Sequence, residues 1–469
     1  MEILIGLLAI SMVVSIHEMG HLLAAKACGI QVEVFSIGFG PKLISFVKRN
    51  TTYALSLLPL GGYVRMKGEE DMRTAILENK LVIEASAGSF YAAAPWKRII
   101  VAAAGPFMNI IFAIVVFGFM FMPGSHYTSP GNKIIVNSEY AAAFSTDVAN
   151  NPILFGQDSP AVKAGLHSGD IITTIDGAPV TNFYEVVDEI RTSPSKDKES
   201  LVLQIKRNTE TFSTTIKPLF NKESGIAQVG ISPFEDPVVQ SSTGGALQSG
   251  LLPGDRILSV NDTVINHSID LRHAVSKASG PLKLLVSRHD QTIELTAYPD
   301  YVQGLPQLDI SFQGITITNP PLSIFQAMGK GFTETINTLG TIVNSLKLFG
   351  KGLDPTQAVS GPIRTTASIA NLITKAYESG WLEIIKVFFL WSAWVSIALF
   401  FGNLLPIPAL DGGQIVLFIA ELIKRKPLTL KTIRRYNTVG LIMVVGLIGF
   451  ALFGDALFVI KNVGTQVNQ

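Results

Sequence analysis

Four stretches of this chain are too apolar for a water-soluble fold, and one of them runs straight into ionisable groups. Residues 99–122 contain no charge over 24 positions. At 1.5 Å of rise per residue, a helix of that length crosses roughly 30 Å of hydrocarbon. Residues 387–405 add 19 such positions, and residues 438–454 add 17 before Asp455 and a further apolar run over 456–460. The first stretch, 3–16, is followed by His17, Glu18 and His21 and then by the apolar 22–25. A cleaved signal peptide has a basic leading region, whereas here only Glu2 precedes the run, so the segment reads as a membrane helix. Charged residues make up 16% of the chain, against about 25% in soluble domains. The expected fold is a polytopic α-helical membrane protein with four transmembrane helices.

Loop charge orients those helices. Residues 26–98 hold ten basic and six acidic residues, and Lys424, Arg425, Lys426, Lys431, Arg434 and Arg435 cluster between the last two spans. The positive-inside rule places both loops in the cytoplasm, so both termini and the long 123–382 segment lie outside. Over the whole chain 37 basic and 36 acidic residues nearly cancel. That balance excludes the basic excess of a nucleic-acid binder. Cys28 is the single cysteine, so no internal disulfide forms.

The outside segment repeats itself. Ala164-Gly165-Leu166-His167-Ser168-Gly169-Asp170 aligns with Ser249-Gly250-Leu251-Leu252-Pro253-Gly254-Asp255 at an offset of 85, and Arg207 and Pro218 echo Arg288 and Pro299 at an offset of 81. Each unit reads as a Gly-Asp turn, a strand, a second turn, a helix (183–191 and 269–277) and two strands. The pattern resembles PDZ domains of the bacterial protease-associated type. The resemblance implies two inserted PDZ-like α+β domains, at 127–220 and 221–301, that bind peptides by strand addition. Steric spacers with a blocked groove are the open alternative.

The chemistry is carried by His17-Glu18-Met19-Gly20-His21. On a helix, positions i and i+4 share a face, so both imidazoles reach one metal while Glu18 takes a proton from water. A hydrolytic zinc site needs a third protein ligand. Further along stands Asn403-Leu404-Leu405-Pro406-Ile407-Pro408-Ala409-Leu410-Asp411-Gly412-Gly413, where two prolines break a helix at the same membrane side. Asp411 reads either as the N-cap of a following helix or as the third ligand, and its pairing with the first motif favours the ligand.

H-E-x-x-H on a first membrane helix with N-x-x-P-x-P-x-L-D-G on a later one resembles the joint signature of the site-2 protease family of intramembrane zinc metalloproteases. Within it, the four-helix layout with tandem PDZ domains looks like the bacterial branch that regulates sigma factors. The resemblance implies Zn2+ held by His17, His21 and Asp411, Glu18 as the catalytic base, and Asn403 in substrate binding. It also implies a home in the bacterial inner membrane, with both termini and the PDZ domains periplasmic and the active site towards the cytoplasm. The implied substrates are single-pass membrane proteins of the anti-sigma-factor type, cut after their outer domain is trimmed, and remnant signal peptides.

The remaining segments follow from that layout. The first helix occupies 1–25, with a cytoplasmic or re-entrant β-loop over 26–98, where Gly38-Phe39-Gly40 and Gly61-Gly62 suggest a small bent sheet. In the family, the resemblance makes this region the edge that aligns an unwound substrate; a solvated hairpin is the alternative. The second helix is 99–122, amphipathic membrane-surface helices fill 322–382, and the third and fourth membrane helices take 383–423 and 436–460. Gly361-Pro362 interrupts the surface stretch before another helix. Tandem outer domains suggest a size filter that holds back substrates with bulky outer parts. A PDZ-bearing membrane scaffold without catalysis and a protease of water-exposed loops are the competing readings. Asp455 has no role in the sequence.

Overall fold

The computed structural model describes the chain apart from residues 1, 78–85, 145–147, 149–150, 223, 303–304, 359–360, 362–363, 366–371, 374–375, 378–379 and 468–469. The helical stretch expected after Gly361-Pro362 lies mostly outside the described residues. The chain divides into two units, one of residues 1–124, 320–343 and 355–468 and the other chiefly of 125–319 and 344–354.

Among the described residues of the first unit, four helices are long and apolar enough to cross a membrane: Ile5–Ala27, Pro95–Phe121, Trp381–Leu404 and Leu430–Ile460. They belong to α1 (Glu2–Ala27), α3 (Pro95–Phe121), α7 (Trp381–Leu404) and α9 (Leu430–Val467). Helices α1, α3 and α7 pack on one another. The α1–α3 crossing is close because a Cβ on Gly20 would stand 2.3 Å from the Ala104 carbonyl oxygen. Small residues permit such approach where lipid offers no hydrophobic drive.

The span expected over 383–423 is two helices. Helix α7 stops at Leu404, and α8 (Asp411–Lys424) begins after a turn through Pro406 and Pro408. Neither proline has an N–H to continue the ladder. Ala409 takes the left-handed conformation at φ 81°, a strain of order 1–3 kcal/mol. The turn is clamped from its surroundings: Tyr436 Oη donates to the Gly413 carbonyl at 3.0 Å. A Cβ on Gly440 of α9 would stand 2.2 Å from the Pro408 carbonyl oxygen.

Between α1 and α3 lie strands β1 (Val32–Lys48) and β2 (Thr51–Met66), followed by α2 (Glu69–Leu77). The two long strands bend into one curled sheet, because residues 34–37 register with both 52–55 and 62–65. Gly38 makes the bend at φ 84°, with the Ser56 carbonyl oxygen 2.9 Å from where a Cβ would be. The far end of this hairpin is apolar yet uncovered: Leu43, Ile44, Phe46 and Val47 are 58–71% exposed. Helix α6 (Ile324–Ser345) buries Ala327, Gly331 and Thr335 and leaves Phe325, Phe332, Ile336 and Val343 exposed.

The second unit contains the repeats. One four-stranded sheet has the order β4-β3-β5-β6, with β3 (Ile171–Ile175), β4 (Ala178–Pro179), β5 (Leu201–Arg207) and β6 (Glu210–Ile216). The other repeats that order with β7 (Arg256–Val260), β8 (Thr263–Val264), β9 (Leu282–Arg288) and β10 (Gln291–Ala297). Helices α4 (Phe183–Thr192) and α5 (Ser268–Ser276) occupy matching places. Each core reaches past the boundaries at 220 and 301. Val229 and Ile231 pack into the first core, and Leu308, Ile310 and Phe312 into the second. The cause is that the short pairings closing each unit, 134–136 with 231–233 and 239–242 with 310–312, join a strand before the repeated motif to one well after it.

Candidate metal centre

Helix α1 carries His17 and His21 one turn apart and both buried. Their Nε2 atoms are 3.1 Å apart. Asp411, the first residue of α8, reaches them with Oδ2 at 3.1 Å from His17 Nε2 and Oδ1 at 3.6 Å from His21 Nε2. Of the two readings of Asp411, the cap is not made: Leu410 is the N-cap residue, and its side chain makes no cap hydrogen bond. The Asp411 carboxylate turns to the histidines instead. Gly412 and Gly413 let α8 start this close to the broken helix, since a Cβ on either would stand 2.2–2.3 Å from a carbonyl oxygen of Leu405 or Ile407.

The donor set fits a zinc ion. Two imidazole nitrogens and a carboxylate oxygen are the ligand types that zinc takes, and bonds of about 2.0–2.1 Å in a tetrahedron require donor atoms about 3.4 Å apart. One donor atom from each of the three residues lies within 4.8 Å of the others. Space is reserved for them by helix α3. A Cβ on Gly105 would lie 2.4 Å from His21 Nε2 and 2.8 Å from His17 Nε2. The His21 ring is oriented by the Val101 carbonyl, 2.8 Å from Nδ1. A carbonyl only accepts, so Nδ1 carries the proton and Nε2 keeps its lone pair.

Glu18 stands beside this cluster and is held by the sheet. The Val64 backbone N–H donates to Glu18 Oε2 at 3.0 Å. Two residues on, Met66 N–H donates to Glu69 Oε2 at 3.3 Å. The outer edge of residues 62–66 therefore faces two carboxylates. A cavity of about 230 Å³ opens between them, lined by Glu18, Val64, Glu69, Asn403, Asp411 and Gln414 among others. Burial pushes the Glu69 carboxyl up to about 7, against the opposing pull of the Met66 N–H. Asn403 thus shares the cavity of the two histidines and Asp411.

Sequence reasoning does not reach Gly105, Asn109, Val64 or Glu69. A signal for two of them is present: Gly105-Pro106-Phe107-Met108-Asn109 sets a helix-loosening proline and a polar amide inside an uncharged span. The bonds of Val64 and Met66 are made by backbone, which no residue type announces.

Fold and site define a polytopic membrane protein with a buried cradle of two histidines and one carboxylate beside a glutamate held by a strand edge. The chain belongs to peptidase family M50, the site-2 protease family, whose profile matches residues 5–447. A protein of Treponema pallidum named "Putative zinc metalloprotease" is 31% identical and aligns over 97% of this chain and 99% of its own length. Proteins of the same name from Borreliella burgdorferi and Xylella fastidiosa are each 28% identical, covering 97% and 96% of this chain and 98% and 97% of theirs. A solved HtrA3 PDZ domain bound to a phage-derived ligand overlaps 20% of this chain and 89% of that domain at 18% identity and a TM-score of 0.13.

Proposed function

We propose that this chain is an intramembrane zinc endopeptidase that cuts the transmembrane segment of single-pass membrane proteins. The observation that carries the reading is the convergence of His17, His21 and Asp411 beside Glu18, inside a unit whose helices are long and apolar enough to span a bilayer. His17 Nε2, His21 Nε2 and one Asp411 oxygen would hold the ion. Zinc so held supplies Lewis-acid chemistry, lowering the pKa of a water to about 7 and polarising a peptide carbonyl.

The chain's own residues do the rest. A transmembrane substrate arrives helical, with its backbone bonded internally, and must unwind to be cut. The edge of residues 62–66 offers replacement hydrogen bonds to the extended segment. Asn403 donates to and accepts from the same backbone. Glu18 takes one proton on its carboxylate from the attacking water and returns it to the leaving amine nitrogen. The exposed apolar hairpin end enters the bilayer, since leaving Phe46 and Val47 in water would be unfavourable.

The repeats read as tandem PDZ-like domains on the periplasmic face of a bacterial inner membrane, with the active site towards the cytoplasm. A cavity of about 320 Å³ runs beside Phe183, Val187 and Ile190 of α4. One of about 400 Å³ runs beside Leu271 and Val275 of α5. Open space in both places supports peptide grooves over blocked spacers. In this reading the substrates are anti-sigma-factor-type proteins trimmed of their outer domain, and remnant signal peptides, and the tandem domains exclude untrimmed substrates. Deleting residues 130–301 then permits cleavage of an untrimmed substrate.

The test uses a trimmed single-pass substrate with purified wild type and Glu18→Gln, zinc quantified in both and the cut mapped. Cleavage within the apolar span by wild type alone, with zinc in both, is expected. Inactivity of both with zinc in neither would overturn the reading, and cuts only in water-exposed loops would overturn its intramembrane part.

A further inference from the structure

Helix α3 presents a stripe to the two histidines at 101, 105 and 109, positions i, i+4 and i+8 of one face. The Val101 carbonyl orients His21 and Gly105 leaves room for both rings. Asn109 is the third member, fully buried, with its side-chain nitrogen 3.4 Å from His17 Nδ1. Its backbone carbonyl accepts from Ser396 Oγ of α7 at 3.0 Å, which fixes α3 at this residue.

A buried primary amide in a membrane span is unfavourable by several kcal/mol unless it is bonded. Among the described residues, Asn109 Oδ1 has no partner, and the amide group's hydrogen-bonding neighbour is the His17 ring. Oxygen and nitrogen of that group are opposite in chemistry and nearly equal in shape, so the ring decides which end faces it. A metal-binding His17 keeps its lone pair on Nε2, which puts the proton on Nδ1. A protonated Nδ1 needs an acceptor, and a half-turn of the amide supplies Oδ1 there. His21 has the same service from the Val101 carbonyl.

We propose that Asn109 is the positioning residue of His17, accepting the Nδ1 proton through Oδ1 and so holding Nε2 ready for the metal. The proposal rests on the reading of His17 as a zinc ligand. Its action is on the ring and not on substrate. Outer partners of metal-bound histidines are worth 10–100-fold in metal affinity.

The experiment measures the zinc dissociation constant of the purified full-length protein by competition with a chromophoric chelator. Wild type, Asn109→Leu and Asn109→Asp are compared, with the melting temperature of each zinc-stripped form. Asn109→Leu is expected to bind zinc 10–100-fold more weakly, and Asn109→Asp, whose carboxylate also accepts the Nδ1 proton, to recover most of that loss. Should Asn109→Leu not fold, Asn109→Ala takes its place. Zinc affinity of the leucine variant within twofold of wild type would overturn the proposal. So would an aspartate variant as weak as the leucine one, since lost packing would then explain both. Wild type that holds no more zinc than His17→Ala would instead overturn the metal reading itself.

Discussion

The backbone N–H of Val64 donates to the Glu18 carboxylate at 3.0 Å, so a strand edge and a candidate general base are bonded to each other. That bond uses an outward-facing amide of residues 62–66, the same kind of group that an added substrate strand would pair with. Proline is tolerated at a strand position whose N–H faces away from the ladder. Val64→Pro should therefore leave the sheet and the zinc content intact while lowering cleavage by roughly 10–100-fold, because one well-placed donor is worth that much. Ser56→Pro makes a harsher comparison. Ser56 is buried with its Oγ 2.9 Å from Ser36 Oγ, so it should lose cleavage through the sheet as a whole. Steady-state cleavage with zinc analysis checks both, and full activity of Val64→Pro would remove the strand edge from the mechanism.

Gly105 is the tightest constraint on the metal cradle. A methyl group there would stand 2.4 Å from one candidate ligand nitrogen and 2.8 Å from the other. Neither ring can swing aside, since each side chain is buried against α3 and Nδ1 of His21 is tied to the Val101 carbonyl. Gly105→Ala should lose zinc by at least about tenfold in affinity, in the range seen when ligand orientation is disturbed, with the helices still folded by circular dichroism. Retained zinc would show that the α1–α3 crossing can widen.

The apolar spans, the repeat and the two motifs are legible in sequence because each rests on residue type at short or fixed spacing. His17, Glu18 and His21 are neighbours on one helix, and Asp411 is found through the proline-broken segment that carries it. The repeat's Asp170 and Arg207 match Asp255 and Arg288 in position before their pairing is visible. What is illegible depends on how helices cross. Gly105 and Asn109 matter because α3 passes α1 at Gly20, and no local pattern encodes a crossing. Asp455 likewise gains its setting only in space, where it accepts the Gly361 N–H at 3.1 Å inside α9. The division of 383–423 was within reach of the sequence, since the two prolines mark the break that became the α7–α8 turn.

Glu69 gives the site a pH dependence that is separable from Glu18. Burial raises its carboxyl from the ordinary 4.5 to about 7. A raised value means that the fold prefers the protonated form. The associated stability is full below about 4.5 and is lost as pH rises through about 7. Each pKa unit corresponds to about 1.4 kcal/mol, and partial solvent access reduces the whole effect to about 1–3 kcal/mol. Glu69→Gln removes the titration. In zinc-stripped protein, the melting temperature of the variant should rise relative to wild type between pH 5 and pH 8, by roughly 2–4 °C per kcal/mol. A constant difference across that range would mean that Glu69 is solvated enough to titrate normally.

The two repeats supply a matched pair of ion pairs for a last comparison. Arg207 Nε and Nη2 grip Asp170 at 2.7 and 2.8 Å, and Arg207 Nη2 also donates to the Gly165 carbonyl at 2.7 Å. Arg288 repeats the arrangement on Asp255 and Gly250, each contact at 2.7 Å. Both aspartates are buried to 1% exposure, so loss of the arginine strands a carboxylate. Burial works to raise the Asp255 carboxyl, yet the Arg288 fork and the Leu252 N–H outweigh it and hold the group below its ordinary 3.8. The stability it contributes is therefore present above about 4 and lost as pH falls through the lowered value. At neutral pH, Arg207→Ala and Arg288→Ala should each destabilise their own unit, because a buried carboxylate is left without its partner. Lysine should recover little of this, having no fork to match the carboxylate. Hydrogen exchange on the full-length protein reads the result: Arg207→Ala should speed exchange in β5 and β6 while β9 and β10 serve as the internal control, and Arg288→Ala should do the reverse. Equal exchange in both sheets of both variants would show that the pairs fix the turn without stabilising the sheet.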